Sequence, residues 1–302
     1  MDNNVESNLN YNQIKLAQEK ELTRIKKNSN SKDEILLEKQ GSEFFIKKTW
    51  IDVNRGFKSI KKQIEFDEIR ISNIIVRSPT VYSTEYVGDN NFIAKMEYID
   101  GCSGPDITKY GTRKISQSLK NAFSMILNQN IENAVLKKVD TNIFIEKIDS
   151  ILGVVTNEDL FLKKIRFLKD KFMIYKYIEI PLGSCHGDLT LSNVIVSPTG
   201  SLNLIDFLPT FIDSPLWDIV KLKQDLIYGW SYRNLKGPSY ASSKLFFQSC
   251  IPNQLKIYEK VWNYEILLLN ALNLARIIPY IKDNNTKEWL DLKFTKALNK
   301  LN

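Results

Sequence analysis

The chain has 302 residues, 43% of them apolar, and 42 Lys and Arg against 35 Asp and Glu give a formal charge of +7. That is enough apolar material for one large core or two lobes. Three scattered cysteines exclude a disulfide scaffold or a zinc site, and with one histidine and no Gly-x-Ser-x-Gly a His-dependent triad could be built only on His186.

In chain order, Leu9, Ile14, Leu16 and Leu22 within a polar opening stretch suggest a leading helix. Met1-Asp2-Asn3-Asn4-Val5-Glu6 has neither the basic start nor the apolar run of a cleaved signal, so a cytoplasmic location is expected. Residues 34–39 and 43–48 read as two strands joined at Gln40-Gly41-Ser42, a hairpin signal. Residues 56–71 are helical in pattern, with Ile60, Ile64 and Ile69 among Lys, Gln, Glu and Asp. Phe92-Ile93-Ala94-Lys95-Met96-Glu97-Tyr98-Ile99-Asp100-Gly101 runs from an apolar strand into a turn. The remainder is mostly helical in pattern, apart from a hairpin at residues 194–205. There Val194-Ile195-Val196 is stopped by Ser197-Pro198-Thr199-Gly200, and Leu202-Asn203-Leu204-Ile205 returns. Residues 266–281 are strongly apolar but broken by Asn270, Asn273, Arg276 and Pro279, which reads as a buried helix and not a membrane span.

The stretch from Cys185 to Phe207 carries the chemistry. His186-Gly187-Asp188 is followed five residues after the aspartate by Asn193, and thirteen residues later by Asp206-Phe207. One carboxylate that can hold a hydroxyl, then an asparagine and a second carboxylate that can hold magnesium, is the apparatus of phosphoryl transfer. A hairpin between Asn193 and Asp206 returns the chain so that the two become neighbours, and both offer hard oxygen ligands suited to Mg²⁺.

These residues resemble the catalytic and metal loops of the aminoglycoside phosphotransferase and choline kinase family, the small-molecule branch of the protein-kinase-like fold. Gly187 and Leu208 stand where protein kinases usually carry arginine and glycine, and no Ala-Pro-Glu triplet follows. The resemblance covers residues 185–225 and includes Asp213-Ser214-Pro215-Leu216-Trp217-Asp218. It implies an α+β, two-lobed fold with a β-rich nucleotide-binding lobe over residues 1–99 and a mainly helical lobe over residues 100–302. It also implies ATP and Mg²⁺ as cofactors, Asp188 as base, and Asn193 and Asp206 on the metal. Lys47 is assigned to the nucleotide phosphates, with Lys48 on the opposite face of the strand, and Glu65 is its orienting partner, with Glu68 in reserve. Met96 backs the base pocket, and the backbone of Glu97 and Ile99 pairs with the base. Asp218 braces the catalytic loop or caps the following helix. The phosphate loop falls on Asn28-Ser29-Asn30-Ser31-Lys32, which has no glycine.

The acceptor pocket falls to residues 100–177 and 219–302. Tyr228, Trp230, Tyr232, Trp262 and Tyr264 could box a quaternary ammonium, stack on a sugar, or serve as helix packing. Arg233 and Lys236 are candidates for holding an anion. From Phe207 onward thirteen Lys and Arg face eight Asp and Glu, so a neutral or anionic acceptor is expected in place of a polycation. The reading is an ATP-dependent kinase of a small-molecule hydroxyl on a sugar, polyol or amino alcohol, in surface polysaccharide metabolism. The alternatives are an atypical Ser/Thr protein kinase and a catalytically silent nucleotide-binding module. Only eight of the basic residues are arginine and no arginine–aromatic stripe accompanies them, so no nucleic-acid partner is expected.

Overall fold

A computed structural model describes residues 22–27, 33–71, 74–88, 90–155 and 159–302; the expected leading helix and the 28–32 loop lie outside them. Strands β1 (Leu22–Lys27), β2 (Glu34–Gln40) and β3 (Glu43–Trp50) run antiparallel, and Gly41 takes a φ of 64° to close the β2–β3 turn. Helix α1 (Val53–Ile64) follows, capped where the Asp52 carboxylate accepts the Arg55 amide at 3.0 Å. Next come β4 (Ile69–Ile71), β5 (Ile74–Arg77), β6 (Val81–Val87) and β7 (Asn91–Glu97). The first sheet has the order β1-β2-β3-β7-β6 and is antiparallel throughout. Trp50, Ile60, Phe92, Ala94 and Met96 form the small core between this sheet and α1. A side chain at Gly56 would run into Trp50 and Phe92, so glycine there lets the helix lie close against the strands.

The helix expected over residues 56–71 begins three residues earlier and ends at Ile64, with Glu65 as its C-cap. Ile69–Ile71 is instead a strand, because its alternating isoleucines pair with Ile74 and Val76 of β5. Those two strands leave the first lobe altogether. They join a second sheet, β4-β5-β12-β11-β8, formed with β8 (Cys102–Ser103), β11 (Val194–Val196) and β12 (Leu202–Leu204). Within it β5 and β12 run parallel, and the other pairs are antiparallel.

The second lobe is mainly helical. It contains α2 (Ile107–Tyr110), α3 (Arg113–Glu132), α4 (Asn142–Leu152), α5 (Asp159–Met173), α6 (Pro215–Leu222), α7 (Gly237–Ser249), α8 (Asn253–Val261), α9 (Asn263–Ala275) and α10 (Asn284–Leu298). A two-stranded sheet, β9 (Val135–Asp140) with β10 (Tyr177–Leu182), leads into the catalytic loop. Helix α9 is buried nearly all round, as its apolar sequence requires. Its two inward asparagines are held, Asn270 by the Tyr228 hydroxyl at 3.1 Å and Asn273 by Gln224 at 2.8 Å. No described helix is long and apolar enough to cross a membrane.

Candidate active site

The loop after β10 is pinned from below by two carboxylates one helical stripe apart. Asp218, in the first turn of α6, accepts the His186 amide at 2.8 Å and the Gly187 amide at 2.9 Å. Asp225, in the π turn that continues α6, accepts the Leu191 amide at 2.7 Å and the Ser231 amide at 3.0 Å. Ser214, not Asp218, is the N-cap of α6, so Asp218 takes the bracing position. Both carboxylates are fully buried, and burial pushes the Asp218 carboxyl up to about 6 and the Asp225 carboxyl in the same direction. Gly187 sits at φ 83°, and a Cβ there would collide with the Leu208 carbonyl oxygen. The close crossing of these two segments explains why this position has no arginine. It is sealed by the Leu208 amide donating to His186 O at 2.9 Å.

Asp188 is held on two sides. Asn193 Nδ2 donates to its carboxylate at 2.9 Å and to its backbone oxygen at 2.8 Å, while Lys221 Nζ lies 3.0 Å from the other carboxylate oxygen. Burial alone would raise its pKa, but the Lys221 charge and the donated hydrogen bonds outweigh that and hold it below the ordinary carboxylate range. Asn193 thereby turns both amide hydrogens toward Asp188, which leaves its side-chain oxygen as the atom available for a ligand.

The hairpin closes as expected. Val194 pairs with Leu204, and the Ile205 amide donates to Asn193 O at 3.0 Å, which sets Asp206 next to Asn193 at one end of the ladder. Asp206 adopts φ 59°, a left-handed conformation that costs about 1 kcal/mol or more in a residue other than glycine. Two hard oxygen donors on a short hairpin suit a cation whose remaining ligands are phosphate and water oxygens, and Asn193 and Asp206 are the residues that would hold it. Among the described residues no group of three or more His, Cys, Asp and Glu forms a closed metal cage.

The lysine assignment is corrected. Lys48 Nζ reaches Asp206 Oδ1 at 2.6 Å and lines the cleft, whereas Lys47 does not line it. Neighbouring residues on β3 face opposite ways, and Ile46, Lys48 and Trp50 share the cleft side. Glu65 is also displaced from its expected role. It is exposed at the end of α1 and pairs with Lys61 at 3.7 Å, and Glu68 pairs with Arg70 at 2.6 Å. Helix α1 contains no acidic residue, and its inward positions are Gly56, Ser59, Ile60 and Gln63. Gln63 holds the Pro79 carbonyl at 2.8 Å.

The cleft between the sheet and the hairpin encloses about 330 Å³. Ile35, Leu37 and Ile46 form its roof, Met96, Glu97, Tyr98 and Ile99 its back, and Asn193, Ile195 and Asp206 its floor. The Glu97 side chain faces away from this role and forms a two-pronged pair with Arg77 at 2.5 and 2.6 Å, which lowers its pKa. Met96 and Ile99 both line the cleft.

Three residues escaped the sequence reading. Asp225 is one, although its seven-residue interval from Asp218 on an apolar helix was a visible signal. Lys62 is another. It leaves α1 to meet Asp213 at 2.6 Å, the Leu208 carbonyl at 3.0 Å and Cys185 Sγ at 3.4 Å. Lys221 is the third, the one basic residue on a helix whose only other charge is Asp218. The five aromatic residues form no box. Tyr228 bonds Asn270, Trp230 stacks near Trp289 and under Arg233, Tyr232 packs on Phe247, Trp262 on Tyr258, and Tyr264 on Tyr175. Arg233 is spent on this packing and on Thr286, and Lys236 is exposed ahead of α7.

A β-sheet lobe with one helix, a cleft below it, and a loop and hairpin on a helical lobe define the two-lobed protein-kinase-like fold. Among solved structures, aminoglycoside phosphotransferase APH(4)-Ia shares it at a TM-score of 0.60 and 10% identity, with 96% of this chain and 98% of that one covered. Choline kinase LicA from Streptococcus pneumoniae gives a TM-score of 0.54 at 13% identity, with 96% and 99% covered. Amicoumacin kinase hAmiN, solved with AMP-PNP, Ca²⁺ and Ami, gives 0.56 at 13% identity, with 98% and 94% covered. No family model and no curated protein sequence matches the chain. At these identities the likeness is one of fold.

Proposed function

We propose that this chain transfers the γ-phosphoryl group of ATP to a hydroxyl of a small molecule, a sugar, polyol or amino alcohol. The observation that carries the reading is the convergence of Asn193, Asp206 and Lys48 in one cleft, with Asp188 hydrogen-bonded to Asn193. The adenine would occupy the apolar space between Leu37, Ile46 and Met96, beside the Glu97 and Ile99 backbone. Lys48 would bind the nucleotide phosphates, and Asn193 and Asp206 would hold Mg²⁺. A bound divalent ion supplies neutralisation of phosphate charge.

Asp188 orients the acceptor hydroxyl and takes its proton as the bond from that oxygen to the γ-phosphorus forms. The bond from phosphorus to the β,γ-bridging oxygen breaks, and ADP leaves with the electron pair. A carboxylate held below the ordinary range is a weaker base, so its larger contribution is to orient the hydroxyl, with proton transfer late. The hydrogen bonds that the His186, Gly187 and Leu191 amides donate to Asp218 and Asp225 keep that carboxylate in place. The fold shared with phosphotransferases of antibiotics and of choline supports the choice of a small-molecule acceptor.

The test is ADP release with ATP and Mg²⁺ across sugars, polyols, choline, ethanolamine and aminoglycosides, repeated with Asp188→Asn and Asp206→Asn. Asp188→Asn should lower kcat by about 10³-fold or more while nucleotide binding persists, and Asp206→Asn should weaken Mg-nucleotide binding itself. Phosphate appearing only on protein would refute a small-molecule acceptor. Nucleotide binding with no turnover of any acceptor would leave a binding module.

A further inference from the structure

Helix α6 and the π turn after it turn one stripe of charged side chains, Asp218, Lys221 and Asp225, toward the catalytic loop. The stripe meets the loop in order. Asp218 takes the His186 and Gly187 amides, Lys221 reaches Asp188, and Asp225 takes the Leu191 amide. The two carboxylates are spent on backbone, which the fold of the loop needs. Lys221 is directed at a side chain, and that side chain is the base. Lys223, two residues on, turns away to pair with Glu259 of α8, so the direction of Lys221 belongs to its place on the helix.

Lys221 stands among Trp217, Ile219, Val220 and Leu222, all buried. An ammonium in such surroundings is costly without a counter-ion, and Asp188 supplies it, Nζ to Oδ1 at 3.0 Å. The other oxygen, Oδ2, accepts Asn193 Nδ2 at 2.9 Å. One donor therefore sits on each carboxylate oxygen. The Cβ–Cγ torsion of an aspartate has only a broad preference, so an unpaired carboxylate has a poorly set plane. Asn193 alone would leave Asp188 a hinge on one oxygen. With Lys221 on the second, the plane cannot turn without breaking a bond at each end. The Asp188 side chain still keeps 28% of its surface open, where a hydroxyl can arrive.

Resting on the phosphotransfer reading and deepening it, we infer that Lys221 is a positioning residue of the reaction, fixing the plane of the Asp188 carboxylate against the incoming hydroxyl. It acts on the chemical step and leaves nucleotide binding alone, since it stands on the helix below the loop and does not line the nucleotide cleft. A reacting group displaced by about 1 Å can lose about a hundredfold in rate, which sets the scale of the effect.

The test is ADP release by the full chain from ATP and Mg²⁺, with whichever sugar, polyol, amino alcohol or aminoglycoside the wild type phosphorylates. Lys221→Met keeps most of the side-chain bulk and removes its charge and donors. It should lower kcat about tenfold to a hundredfold, with KM for nucleotide within about threefold of wild type. Lys221→Arg, which keeps the charge and the donors, should recover most of that loss. A general disturbance of the fold would slow every background alike, so the decisive comparison is made in Asp188→Ala, followed with radiolabelled ATP. There is no carboxylate to hold in that background, and Lys221→Met should cost no further activity. The same fractional loss with and without Asp188 overturns the inference. So does an unchanged kcat, or a raised nucleotide KM with kcat preserved. In each of those cases the wild type still turns over and phosphotransfer stands. A wild type that phosphorylates no acceptor defeats the phosphotransfer reading, and the inference with it.

Discussion

His186 is locked in one neutral form by its neighbours. Its Nε2–H donates to the Ile205 carbonyl at 2.9 Å, and its Nδ1 accepts the Asp188 amide at 3.2 Å. Full burial pushes its pKa down to about 4. Between that value and about 6.5 the unfolded chain binds a proton that the folded chain refuses, so this residue makes stability rise with pH across that window. Asp218 acts in the opposite sense. Burial holds its carboxyl at about 6, so between its ordinary 3.8 and 6 the folded chain keeps a proton that the unfolded chain has lost, and stability falls as pH rises. The two slopes are each worth up to about 3 kcal/mol and largely cancel from pH 4 to 6. His186→Gln should unmask the second one, giving a protein whose unfolding free energy in urea declines from pH 4 to pH 6. A profile parallel to the wild type would refute the pairing.

Lys48 gives a second prediction at this scale. Lys48→Ala should lower kcat/KM for nucleotide by about a hundredfold or more, and Lys47→Ala should stay within about threefold. The sequence showed a strand with two adjacent lysines but not which face looked inward. That depended on Ile46 and Trp50 packing beneath the roof of the cleft, a relation between strands and not a property of one. Asp188, Asn193 and Asp206 stood out because their spacing is tied to a local hairpin, whereas Lys221 reaches Asp188 from α6, a relation no local spacing announces.

At the scale of elements, α6 and the π turn after it form the platform for the catalytic loop. Asp218 and Asp225 each accept two backbone amides that have no other partners in so buried a place. Asp225→Ala should leave the Leu191 and Ser231 amides unpaired, lower unfolding free energy by about 2–4 kcal/mol and reduce kcat. Chemical denaturation and steady-state rates on the same preparation check both. Retained stability would mean that the loop holds itself. The expected helix overran its end because Ile60, Ile64 and Ile69 stand at near-helical intervals, and β pairing of Ile69–Ile71 with Ile74–Val76 overrode that periodicity. The helix glutamate was sought by analogy in a segment that offers none facing inward.

Across the whole molecule, the two lobes are tied by side chains as well as backbone. Lys48 joins β3 to Asp206, and Lys62 joins α1 to Leu208, Asp213 and Cys185. The Lys62 ammonium is well enclosed, and its partners raise its pKa despite burial. Lys62→Met should lower the melting temperature by several degrees, since about 1–3 kcal/mol is lost when Asp213 and the Leu208 carbonyl lose their donor. Calorimetry is the check, and an unchanged melting temperature would show that the lobes do not depend on it. The change from a β-rich first part to a mainly helical second part was readable in the sequence, but the placement of β4 and β5 in the second sheet was not. The pairing of β5 with β12 spans more than a hundred residues, beyond the reach of local pattern.

That placement has a mechanical outcome. The polypeptide passes from the upper body to the lower after α1, returns after β5, and descends again after β7, so three covalent threads span the waist. Opening by a wide swing about a lone linker is therefore ruled out in favour of a shallow tilt. Severing the chain near residue 99 would strip β12 of its parallel neighbour and bare Leu202 and Leu204, so the lower half alone would be prone to clump.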